Sequence, residues 1–141
     1  MNMVYYAHSG LRYLVLLAAL AALVVLVRGR GGNRPYDRAA RTTTGIYTGT
    51  LHLQTALGIL LVVLGRWYGA LMGHLVMNLL GVVVATVLIG WARREQDARR
   101  GYTFALTGVV VSLLLLFLGI AAIGRHPLQS RALEQIEAGN R

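Results

Sequence analysis

The chain has 141 residues, 56% of them hydrophobic and 13% charged, and a mean hydropathy of +0.58. That balance, carried in long apolar runs, excludes an ordinary soluble domain and predicts one membrane domain over residues 1–141. There is no cysteine, which excludes disulfides, thiolate zinc sites, c-type haem attachment and cysteine-ligated iron–sulfur clusters. The net charge of +9 comes from fourteen arginines and no lysine. These arginines flank apolar segments, so they read as topology signals and lipid-headgroup contacts, with no nucleic-acid partner expected.

The first apolar run follows MNMVYYAHSGLRYLV. It has no basic leader and no small-residue cleavage site, so a retained helix over about residues 4–27 is expected rather than a signal peptide. Tyr5, Tyr6 and Tyr13 soften its start, as in an interfacial aromatic belt. A basic loop follows, with Thr42, Thr43 and Thr44 as candidate N-caps. The second helix is expected over about residues 45–65, and the third over about residues 70–91 after a short turn at Arg66. A second basic loop precedes a fourth helix over about residues 102–123, and a polar tail covers 125–141. Each apolar segment has the roughly 20 residues needed to cross hydrocarbon.

Short connections make consecutive helices antiparallel neighbours, so the expected fold is all-α, an integral membrane antiparallel four-helix bundle. The first and third loops hold nine of the fourteen arginines and the second loop holds one. The positive-inside rule then puts both basic loops in the cytoplasm and both termini outside a bacterial inner membrane. Gly45 with Gly49, and Gly69 with Gly73, form GxxxG pairs, while Gly58, Gly81, Gly108 and Gly119 lie deeper. Small residues there suit close helix packing, or the approach of a flat macrocycle.

Polar side chains at membrane depth mark functional sites by default. His8 and His74 fall near the same end of the bundle on different helices. One imidazole from each of two helices is the axial pair a b-type haem iron needs. His74, Met77, Asn78, Gly81 and Ala85 share one face of the third helix, and His8, Arg12, Val15 and Ala19 one face of the first. All five acids lie in loops or the tail. Arg12 must therefore snorkel, meet a partner subunit, or bind an anion such as a haem propionate; Arg66 and Arg125 share its side. His52 is expected on the order of 15 Å from the outer pair in depth. With Gln54 it forms a candidate quinone or second site, or it hydrogen-bonds across helices and binds nothing. His126, before Pro127, reads as a solvated interfacial histidine. No transmembrane carboxylate, phosphate loop or dinucleotide fingerprint offers catalysis, so an electron-transfer subunit is expected ahead of a stand-alone enzyme.

Three boxes carry a resemblance. They are His8-Ser9-Gly10-Leu11-Arg12-Tyr13, then His52-Leu53-Gln54-Thr55-Ala56-Leu57-Gly58, then Gly73-His74-Leu75-Val76-Met77. Over about the first 90 residues the chain resembles short bacterial cytochrome b-like integral membrane proteins. It departs from their pattern at Tyr13, usually Trp, and Gly73, usually Glu. It also resembles half of a haem A synthase bundle, without the acid that precedes the first histidine there. The resemblance implies a bis-histidine haem b passing electrons between quinone and a partner, within a larger assembly of membrane subunits. A haem-free accessory subunit of a respiratory or photosynthetic complex is the alternative. A copper- or haem-handling factor is a third reading.

Overall fold

A computed structural model describes residues 2–32 and 35–124. The described residues form four helices and no strand: α1 (Asn2–Gly31), α2 (Arg38–Val63), α3 (Leu71–Arg94) and α4 (Ala98–Ala122). All four are long and apolar enough to cross a membrane, which makes this a multi-pass membrane protein. Each helix packs beside the next, α4 closes on α1, and α1 and α3 sit across the diagonal. The polar tail and His126 lie outside the described residues.

The helices begin and end further into the basic loops than the apolar runs suggest. Hydropathy marks where lipid ends, but a helix satisfies its own backbone, and arginine is a good helix former. Arg28 and Arg30 close α1, and Arg93 and Arg94 close α3, where cations suit the negative end of the helix dipole. The cap of α2 is Asp37, whose Oδ1 accepts from Ala40 N at 2.9 Å. The threonines expected to cap it stand inside the helix instead. Thr43 and Thr44 donate back to Ala39 O (2.9 Å) and Ala40 O (2.7 Å), a habit that hides hydroxyls from lipid. Asp97 caps α4 in the same way through Arg100 N at 2.8 Å.

Outward faces are as apolar as the interior. Leu14, Leu17, Leu20, Leu53, Leu114 and Leu118 are all exposed, as expected where hydrocarbon is the solvent. Packing is therefore set by shape, and α3 and α4 meet most closely. A Cβ at Gly81 would lie 3.3 Å from Ser112 O, and one at Gly108 3.0 Å from Leu88 Cβ. The two GxxxG pairs contribute less, since Gly49 and Gly69 face open space.

The arginine-rich end is held by tyrosines. Tyr36 and Tyr102 pack edge to face at 5.3 Å, and Tyr36 Oη shares a hydrogen bond with Thr44 Oγ1 at 3.0 Å. Burial raises the Tyr36 pKa, so its hydroxyl keeps its proton. Arg41 and Arg93 each donate to the other's carbonyl, at 3.1 and 3.2 Å, tying α2 to α3. Midway along, Ser112 Oγ donates to Val109 O (3.0 Å) and so accepts from Tyr47 Oη (2.7 Å), bracing α2 against α4. With this end closed, the histidine end is left as the open part of the bundle.

Candidate functional site

At that end, the start of α1, the end of α2, the start of α3 and the end of α4 border a partly open cavity of about 700 Å³. His8 and Tyr5 contribute from α1, and Gln54, Thr55, Gly58, Ile59 and Val62 from α2. Leu71, His74, Leu75 and Asn78 line it from α3. A smaller recess of about 90 Å³ is lined by His8, Arg12, Gln54, His74 and Asn78. Such a volume, with mostly apolar walls and a few converging polar groups, is typical of a cofactor or ligand site.

Each imidazole is braced from a neighbouring helix. His8 Nδ1 lies 3.1 Å from Gln54 O on α2, and His74 Nδ1 lies 3.0 Å from Gly119 O on α4. A carbonyl oxygen only accepts, so each Nδ1 carries the proton and Nε2 is the basic nitrogen. Asn78 Nδ2 sits 3.2 Å from the same His74 Nδ1 but donates to His74 O at 2.6 Å. Glycine makes both braces possible. A Cβ at Gly58 would lie 3.1 Å from His8 Cε1, and one at Gly119 would lie 3.2 Å from His74 O.

Of the residues singled out from sequence, His8, His74, Asn78 and Gln54 meet at the cavity. Arg12 reaches only the recess; its Nη2 is 3.2 Å from Tyr13 Oη and its guanidinium lies 5.0 Å from the Tyr13 ring centre. Met77 does not line the cavity; its Cβ would be 3.1 Å from a Cβ at Gly119, so it packs on α4. Gly81 and Ala85, expected on the same face, are likewise buried against other helices.

His52 and Gln54 do not meet. His52 Nε2 contacts Thr86 Oγ1 on α3 at 3.1 Å, while Gln54 turns to His8 with its Nε2 3.4 Å from His8 Nε2. The depth expectation also changes. His8 packs on α2 between Gln54 and Gly58, two to six positions from His52, about 3–9 Å along the axis. Face separates them more than depth, since the two residues from His52 to Gln54 turn the helix by about 200°. Sequence reasoning missed Gln54 as the partner of His8, and Gly58 as its seat. The i, i+4 spacing of Gln54 and Gly58 on one face was the available signal. Nothing in the sequence pointed to the Gly119 carbonyl.

No protein-family model, curated protein or solved structure matches this chain.

Proposed function

We propose that this is a b-type cytochrome-like membrane subunit holding one haem b between His8 and His74. The observation that carries the proposal is the paired brace: two histidines line one cavity, and each gives its Nδ1 proton to a backbone carbonyl of a neighbouring helix. Metal-bound histidines almost always donate their other ring N–H in this way, which fixes the tautomer and raises the basicity of the ligating nitrogen. A porphyrin supplies four ligands to its own iron, so two imidazoles complete the set.

The cavity residues fit such a group in size and polarity. His8 and His74 would hold it, and Ile59, Val62, Leu71 and Leu75 would keep water from it. Bound there, haem b would supply one-electron transfer. Gln54 fits a second role. Its Oε1 is buried with no hydrogen-bond partner among the described residues, which is costly unless something supplies a donor. A quinol hydroxyl is such a donor, so the quinone contact is assigned to Gln54 rather than to a His52–Gln54 pair. Electrons would pass between quinone and a partner among other membrane subunits. The arginine distribution supports a bacterial inner-membrane orientation with both termini outside, and kinship with cytochrome b-like proteins belongs to the same proposal.

The test is reconstitution of the purified chain with haem, read by reduced-minus-oxidised absorption. Stoichiometric uptake with a sharp reduced α band, lost in both His8→Ala and His74→Ala, is expected. An unchanged spectrum in either variant would remove that histidine from the iron.

A further inference from the structure

Arg66 owes its position to the residue before it. Gly65 has φ +88, a conformation that favours glycine. Arg66 N donates to Leu61 O and Gly65 N to Val62 O, both at 3.0 Å. This is the paired closure of a Schellman turn, and it leaves Arg66 on the cavity wall just beyond the end of α2. There its guanidinium lies 4.8 Å from the ring centre of Tyr5 on α1. Tyr68 lines the same end of the cavity.

The cavity is thus polarised. His8 and Gln54 lie about two turns inside the bundle, while Arg66 and Tyr68 stand at its end. Among the described residues no acid lines the cavity, and Arg66 is its one arginine. A guanidinium over an aromatic ring carries the planar N–H fork that matches a carboxylate.

We propose that Arg66, seated over Tyr5, is a carboxylate-binding subsite that orients the macrocycle with its propionate edge toward the bundle end. The subsite rests on the haem reading above. Arg12 is not assigned this role, because it lines only the recess and stacks along its own helix on Tyr13. A lipid phosphate has related anion chemistry, so the test separates the two sources.

The experiment titrates the full chain, in nanodiscs of zwitterionic or anionic lipid, with haem b and with its dimethyl ester. The wild type is compared with Arg66→Gln and Arg66→Lys, following the Soret band. The wild type is expected to bind the ester about tenfold or more weakly than the acid. Arg66→Gln should lose that discrimination while keeping the wild-type band positions, and Arg66→Lys should restore part of it. Equal binding of acid and ester by the wild type removes the subsite and leaves the haem reading standing. Undiminished discrimination in Arg66→Gln also removes it, by placing the carboxylate elsewhere. An Arg66→Gln effect seen only in anionic lipid assigns the arginine to a lipid headgroup and overturns the proposal. Failure of both macrocycles to bind removes the haem reading, and the subsite with it.

Discussion

Gly58→Ala separates the stability of the bundle from the integrity of the site. The added methyl would lie 3.1 Å from His8 Cε1 and 3.6 Å from Nδ1. Comfortable carbon contacts begin at about 3.5 Å, so the ring must retreat by roughly 0.4 Å. That retreat is away from α2, and it stretches the 3.1 Å bond from His8 Nδ1 to Gln54 O toward the limit of a useful hydrogen bond. Losing the bond costs about 1 kcal/mol. Alanine in a helix interior gains about 1 kcal/mol over glycine. The two effects offset, and the change in stability is expected to stay within about 0.5 kcal/mol. Haem affinity is expected to behave differently, falling about 10-fold or more, as when the partner orienting a metal-bound histidine is lost. Thermal unfolding in detergent and haem titration of the same preparations read the two quantities. Unchanged haem affinity would mean that the His8 ring is not a ligand. A loss of more than about 2 kcal/mol in stability would mean that Gly58 acts through packing alone.

Three further outcomes are expected. Gly119→Val puts a branched side chain where even a Cβ lies 2.8 Å from Asn78 Nδ2 and 3.2 Å from His74 O. It should cost about 1–3 kcal/mol by overpacking and abolish haem uptake, both measurable on one purified sample; normal uptake would contradict the brace on His74. Tyr47→Phe removes the cross-brace to Ser112, which still donates to Val109 O. Chemical denaturation in micelles should show a loss of only about 0.6 kcal/mol, with the spectrum intact. His52→Ala should leave haem bound, because His52 meets Thr86 on another face of α2; loss of the haem spectrum would show that the site reaches His52.

Architecture was legible in the sequence because lipid imposes a simple rule. Four apolar runs of spanning length, divided by short polar connections, leave an antiparallel bundle as the default. Helix ends were less legible. The apolar run of α2 starts near Gly45, but Asp37 begins the helix, because capping depends on one carboxylate rather than on hydropathy. His8, His74, Asn78 and Gln54 stood out as polar groups at membrane depth, and all four line the cavity. Their pairing did not stand out. It depends on how α1 rotates and how deeply it sits against α2, which seats His8 on Gly58 and beside Gln54. Met77 shares a helical face with His74 yet packs against Gly119, because a face spans two neighbours and periodicity does not divide them.

The central claim is that two imidazoles from α1 and α3 hold one iron. Electron paramagnetic resonance of the oxidised, haem-loaded protein addresses it most directly. A low-spin signal typical of two imidazole ligands is expected, converting to high spin when either His8 or His74 is replaced by alanine. A high-spin signal in the wild type, or a low-spin one that survives either replacement, would contradict it.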